Sequence, residues 1–230
     1  MKVAIGVPCA DNVRHGIFYD ALISMTKPEG SIFIASHNAN IARNRNIITE
    51  GALLSECDYI LYLDDDNIVE RDTLARLISH ELHVVSGLYV QRQIPFAPVM
   101  FDTEDEQGRC GFRTFKPNDN GLIEVVATGA GCLLVSMEVI KQLARPWWRI
   151  GQIASDSWGD DLDFCHRVRL SGYKIYVDLE TPVGHVCTNI VWPNRDPETN
   201  EWETVMFQPH DDKTPVAKWP AAIKVPYLGR

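Results

Sequence analysis

The sequence predicts an α/β protein with a mostly parallel central sheet flanked by helices, in the manner of a Rossmann-like fold. Two observations predict it. Short apolar segments rich in β-branched residues alternate with longer amphipathic ones through the first third of the chain, and the connections are too long for hairpins. One of these segments, Tyr59-Ile60-Leu61-Tyr62-Leu63, is apolar throughout, as a strand buried on both faces must be, and runs directly into Asp64-Asp65-Asp66-Asn67.

Taken in order, Lys2 to Val7 reads as a first strand that Pro8 ends, and Cys9-Ala10-Asp11-Asn12 as a turn opening a helix from about Val13 to Met25. Ser31 to Ala35 is a second strand. The helix after it carries Ile41, Ile47, Ile48 and Leu53-Leu54 on its apolar side, with Arg43 and Arg45 among its polar positions. The acidic strand follows, then a helix beginning near Glu70, then a fourth strand, Val84 to Ser86. From Phe96 to Phe115 the texture changes to short strands and polar turns, which predicts a smaller antiparallel patch. Leu122 to Ser136 reads as strand, Gly129-Ala130-Gly131 turn and strand. Glycines there serve either close approach of a ligand to the backbone or a β-bulge.

Composition narrows the function. The chain has 230 residues, 45% hydrophobic and 23% charged, which is ordinary for a globular protein. Its formal net charge of -9 argues against non-specific binding to nucleic acid or anionic lipid. The longest uncharged apolar stretch, Val125 to Val135, falls short of the ~20 residues that span a bilayer, and the opening Met-Lys-Val-Ala-Ile-Gly-Val-Pro is too short in apolar residues for a signal peptide. Six scattered cysteines with no CxxC pair read as reduced core thiols, so the expected location is cytoplasmic.

Two clusters carry chemistry. Three carboxylates beyond the carboxyl end of a buried strand lie where open α/β sheets bind ligands. Asp and Asn are common in turns, and acids favour a following helix N-terminus, but capping needs only one of the three. The surplus repulsion is what a hard divalent cation relieves, and such a cation brings phosphates with it. The second cluster, Gly159-Asp160-Asp161-Leu162-Asp163-Phe164, opens a helix whose apolar face includes Leu162, Cys165 and Val168 and which Gly172 stops. Its acids serve equally as helix-end charges or as functional groups. Lys174 to Asp178 is the next strand, and Thr181-Pro182-Val183-Gly184-His185 leads to a histidine.

The buried strand ending in Asp-x-Asp, the Gly-x-Gly strand, the Gly-Asp-Asp-x-Asp-Phe helix start and the strand leading to His185 together resemble the GT-A glycosyltransferases of the family-two-like group, over roughly Lys2 to His185. Compact stand-alone chains of this kind look similar to enzymes carried by bacteriophages, which would place the protein in a host cytoplasm. Where those relatives commonly have Glu-Asp, this chain has Asp160-Asp161.

The resemblance implies a transferase that moves a sugar, of hexosyl type, from a nucleoside-diphosphate sugar (a UDP- or GDP-sugar) to an acceptor hydroxyl on a glycan, protein, lipid or modified nucleobase. It implies Mn2+ or Mg2+ held by Asp64, Asp66 and His185. It places Pro8, Asp11, Arg43, Asp64 and Asp65 on the donor side, and Arg92, Gly129, Gly131 and Trp158 on the acceptor side. Asp161, beside Asp160, becomes the general base of an inverting reaction. A helix N-terminus lowers a carboxylate's basicity, while neighbouring acids and desolvation by Trp158 raise it. Trp147-Trp148 offer a sugar-stacking platform or, as such pairs more often do, fill core.

Residues 1–189 form the expected catalytic domain. Residues 190–230, with six of the 13 prolines and three of the 6 tryptophans, form an expected extended arm packed on the domain or on a second subunit. Two other functions compete. A sugar-phosphate nucleotidyltransferase calls for a Gly-rich basic loop after the first strand, which Val7-Pro8-Cys9-Ala10-Asp11-Asn12 lacks. A non-catalytic nucleotide- or carbohydrate-binding module calls for no particular base.

Overall fold

A computed structural model describes residues 1–9, 16–37, 39–92, 96–105, 110–116, 119–153, 156–187, 190–195, 198–199, 202–207 and 217–220. The chain divides into two units, Met1–Gln91 with Phe96–Val186, and Arg92–Pro95 with Cys187–Arg230.

The first unit begins β1 (Val3–Pro8), α1 (Gly16–Ser24), β2 (Ile32–Ser36), α2 (Ile41–Leu54), β3 (Tyr59–Leu63), β4 (Asn67–Ile68), α3 (Thr73–Ser79) and β5 (Val84–Leu88). Then come β6 (Met100–Glu104), β7 (Cys110–Phe112), β8 (Leu122–Val125), β9 (Ala127–Thr128), β10 (Cys132–Ser136) and α4 (Met137–Gln142). It ends with β11 (Gly151–Ile153), β12 (Asp156–Trp158), α5 (Asp160–Leu170), β13 (Ile175–Pro182) and β14 (Gly184–His185).

Among the described residues seven strands make the central sheet, in the order β2-β1-β3-β10-β5-β13-β8. β2, β1, β3, β5 and β13 run one way, while β10 and β8 are reversed. The small antiparallel patch is present as β7-β6-β9. Strand alternation sorts side chains into two apolar layers. Ala4, Ile60 and Tyr62 face the layer of α2, α4 and α5, whereas Val3, Ile5, Leu61 and Leu63 face the layer of α1 and α3. β3 is therefore covered on both sides, which fixes the acidic turn at its end.

Helix α2 departs from the sequence reading. Ile47 and Leu54 are 48% and 78% exposed, whereas Asn44, Arg45 and Thr49 are buried with Ile48 and Ala52. The inward polar groups have partners in the first unit: Asn44 donates to the carbonyls of Cys9 and Ala39, and Thr49 shares a 2.7 Å bond with the Tyr62 hydroxyl. A polar face aimed at polar partners looks, in sequence, like a solvated one. The helix near Glu70 begins later, at Thr73, because Asn67–Ile68 first pairs with Gly184–His185 as β4 and β14. The acids of the turn therefore do not cap α3.

Trp147 and Trp148 are core. Trp148 is 1% exposed, stacks on Phe164 with ring centroids 4.1 Å apart, and meets Tyr62 edge-on. Among the described residues no disulfide joins any of the six cysteines. Among the described residues no helix is long and apolar enough to cross a membrane. Among its described residues the second unit contains an antiparallel sheet of β15 (Ile190–Arg195), β16 (Trp202–Phe207) and β17 (Ala217–Pro220) in the stretch expected as an extended arm.

Candidate active site

The two acidic clusters meet through Arg45. From the inward face of α2, its Nη1 donates to Oδ1 and Oδ2 of Asp160 at 2.9 and 2.8 Å, and its Nη2 donates to Oδ1 and Oδ2 of Asp64 at 2.9 and 3.1 Å. The guanidinium is 4% exposed and lies over the Trp148 ring, 5.1 Å from its centroid. Burial opposes its charge, but the carboxylates of Asp64, Asp160 and Asp161 outweigh burial and hold the arginine's pKa above its usual value. Nothing in the local sequence distinguishes Arg45 from Arg43. Only its spacing, one turn after Ile41 and one before Thr49, places it on the buried side.

The Asp160 side chain does not cap α5. The helix starts from Gly159 with no side-chain cap bond, and Asp160 turns back to Arg45. Asp161 stands beside it, with Oδ1 accepting from the Leu162 N–H at 2.9 Å. A Cβ on Gly159 would lie 2.4 Å from that same oxygen, so glycine is required for Asp161 to hold this position. Burial raises the Asp161 carboxyl above its ordinary range, Asp160 adds to the rise, and Arg45 opposes it. Asp163, read as a neighbour that raises Asp161, is engaged elsewhere, by Arg149 Nε at 3.0 Å and Arg167 Nε at 2.8 Å.

At the end of β3, the Asp64 N–H donates to the Gly131 carbonyl and the Asn67 N–H closes the turn onto the Asp64 carbonyl. Burial lifts the Asp64 carboxyl to about 6 against the pull of Arg45, with Asp66 and Asp160 adding repulsion. Asp66 faces His185, Oδ1 to Nε2 at 3.6 Å, and its carbonyl accepts from the Val186 N–H. His185 Nδ1 lies 2.7 Å from the Val90 carbonyl, an oxygen that can only accept, so Nδ1 carries the hydrogen. With Nδ1 held by that carbonyl, Nε2 is the ring nitrogen turned toward Asp66.

A carboxylate oxygen and an imidazole nitrogen converging at that distance are a pair that a divalent cation can bridge. The backbone partner on Nδ1 is the kind of support that metal-bound histidines have. The third expected ligand is placed differently, with both oxygens of Asp64 on Arg45. Among the described residues no group of three or more His, Cys, Asp or Glu side chains gathers closely enough to hold a metal. One carboxylate and one imidazole fit a magnesium- or manganese-type site in which substrate phosphates and water supply the other ligands.

Two residues missed in the sequence complete the floor. Tyr89, 7% exposed, accepts a 3.1 Å bond from the Gly131 N–H and meets the His185 ring edge-on at 5.5 Å. Burial, then the charges of Asp64 and Asp161, push its phenol well above the ordinary value, so it stays neutral. Asn67, 1% exposed, has its amide against Gly131, where a Cβ would lie 2.8 Å from Nδ2. The Gly-x-Gly turn thus makes room for Tyr89 and Asn67.

Of the other expected site residues, Pro8 is buried at the end of β1 opposite Ser36, and Asp65 is half-buried on the acidic turn. Arg43 is exposed on α2, its N–H held by the Asn40 side chain at 2.9 Å. Trp158 ends β12, and its side chain lies outside the described set, as does Asp11 altogether. Arg92 is exposed and belongs to the second unit.

No family model and no curated relative matches the sequence. Among solved structures the chain is similar to A197 from STIV, with a TM-score of 0.58 and 17% identity over 90% of this chain and 94% of that one. It is also similar to GalNAc-T7, crystallised with UDP, GalNAc and Mn2+, with a TM-score of 0.57 and 12% identity over 80% of this chain and 43% of that one. At these identities the likeness is one of fold, and the fold is GT-A-like.

Proposed function

We propose that this chain is a divalent-cation-dependent glycosyltransferase that uses a nucleoside-diphosphate sugar and inverts the anomeric centre. The observation that carries the proposal is the charge balance at the meeting of β3 and α5. One guanidinium faces Asp64 and Asp160, with Asp66 and Asp161 close enough to add to the electrostatics. That excess of negative charge suits a cation and the diphosphate it attracts. Asp66 and His185 would hold the cation, which would supply neutralisation of the departing diphosphate.

Asp161 takes the proton from the acceptor hydroxyl as that oxygen bonds to the anomeric carbon, and the carbon–phosphate-oxygen bond breaks with its electron pair leaving on the diphosphate. A raised carboxyl pKa brings such a base nearer working pH. Asp160 and Arg45 keep Asp161 at the helix start, and Asp64 lines the donor side. The fold shared with GalNAc-T7 and its bound UDP and Mn2+ supports this reading.

The test is thermal stability across a panel of UDP- and GDP-sugars with and without Mn2+. Stabilisation that requires both nucleotide sugar and Mn2+ supports the reading. Stabilisation by nucleotide alone, unchanged by Mn2+, argues against it.

A further inference from the structure

We propose that Tyr89 is a positioning residue for His185, and that the Gly129-Ala130-Gly131 turn is shaped to seat it. The inference rests on the reading of Asp66 and His185 as cation ligands. Tyr89 and Val90 directly follow β5, whose neighbour β13 leads into β14 and His185. The backbones are tied at this point, the Val183 N–H donating to the Leu88 carbonyl at 2.8 Å. Two consecutive residues then act on one imidazole. The Val90 carbonyl, 2.7 Å from Nδ1, decides which nitrogen carries the hydrogen. The Tyr89 ring, edge-on at 83° and 5.5 Å, blocks rotation of the imidazole about its last torsion, which is otherwise broad and roughly two-fold. Together they leave Nε2 facing Asp66.

Tyr89 is itself fixed at its hydroxyl end. The Gly131 N–H donates to its hydroxyl, and a Cβ at Gly129 would stand 2.0 Å from that oxygen, one at Gly131 3.0 Å from Cζ. Any larger residue at Gly129 would displace the phenol from this seat. The turn, the tyrosine and the imidazole form one stack against the acidic turn, so the ring contact is the step that transmits position to the ligand nitrogen.

The experiment compares wild type, Tyr89→Phe and Tyr89→Leu in two measurements that need no sugar donor. Long-range 1H–15N NMR of the metal-free protein, with His185 assigned through His185→Gln, reads the tautomer. Electron paramagnetic resonance titration with Mn2+ alone reads affinity. Wild type is expected to show hydrogen on Nδ1. Tyr89→Phe, which keeps the ring, is expected to retain that signature and bind Mn2+ within a few-fold. Tyr89→Leu is expected to show mixed tautomers and lose about 10- to 100-fold in Mn2+ affinity, the range typical of lost support behind a ligand.

Wild-type His185 with hydrogen on Nε2 overturns the proposal outright, whether or not Tyr89→Leu folds. So does a folded Tyr89→Leu with wild-type tautomer and affinity and only a lower melting temperature, since that is core filling. A wild type that binds no Mn2+, yet loses its Nδ1 signature in Tyr89→Leu, supports the positioning role and counts against the cation reading.

Discussion

Arg45 and Asp160 are 115 positions apart in sequence and joined by two hydrogen bonds to one guanidinium nitrogen, 2.9 and 2.8 Å long. With the pair to Asp64, this places the end of β3 and the start of α5 on a single side chain. Removing one partner of such a buried set leaves uncompensated charge. Arg45→Met should therefore cost about 3–5 kcal/mol, on the order of 10 °C in melting temperature for a chain of this size. Arg45→Lys should fall between, because one ammonium cannot fork to two carboxylates. Thermal denaturation followed by circular dichroism checks this, and an unchanged Arg45→Met melting temperature would contradict it.

The acidic strand, the alternation of strands and helices, and the start of α5 were legible because each is written in neighbouring residues. Tyr59–Leu63 is apolar at every position, and Gly172 marks the end of α5. Arg45 was not legible. Its partner lies on a distant element, and a buried arginine on a helix looks like a solvated one until the element it faces is known. Tyr89 was hidden for a related reason, since its role depends on glycines and a histidine from two other strand ends. Ile47 and Leu54 misled in the opposite direction, because the inward face of α2 was given to Asn44, Arg45 and Thr49.

The proposed role of Asp66 and His185 as cation ligands gives a second prediction. Asp66→Ala and His185→Ala should each weaken binding of UDP or GDP in the presence of Mn2+ while leaving the weaker Mn2+-free binding unchanged. Isothermal calorimetry with and without a chelator separates these cases. Equal losses in both conditions would mean the two residues act on the nucleotide without sharing a cation.

The seat of Tyr89 gives a third. Gly129→Ala puts a methyl 2.0 Å from the Tyr89 hydroxyl, an overpacking that should cost about 1–3 kcal/mol. Deleting that oxygen with Tyr89→Phe should recover part of the loss, leaving the Val99 methyl at 2.9 Å as the remaining clash. Urea denaturation of the two single variants and the double variant measures the coupling, and strict additivity would rule it out.

A fourth prediction concerns pH. Asp178 is buried, which alone would raise its pKa, but bonds from His80 at 2.9 Å, Thr181 at 2.7 Å and the Glu180 N–H reverse the sign and lower it below 3.8. A folded-state pKa below the unfolded one contributes stability above the unfolded value and loses it as pH falls through the folded value. The stability gap between wild type and Asp178→Asn should thus be full at neutral pH and shrink below about pH 4, where the carboxylate takes up its proton. Melting temperatures across that range decide it, and a gap of constant size would show that the charge of Asp178 is not what the network uses.

As the proposed base of an inverting transfer, Asp161 takes the proton of the acceptor hydroxyl. Asp161→Asn keeps the shape of the helix start but cannot take that proton. With a donor identified from the nucleotide-sugar panel and a matched acceptor, its turnover should fall by about 10²- to 10⁴-fold while donor affinity stays near wild type. Proton NMR of the wild-type product should show the anomeric configuration opposite to the donor's. Retention of configuration, or an Asp161→Asn enzyme with wild-type turnover, would show that Asp161 is not the base of an inverting transfer.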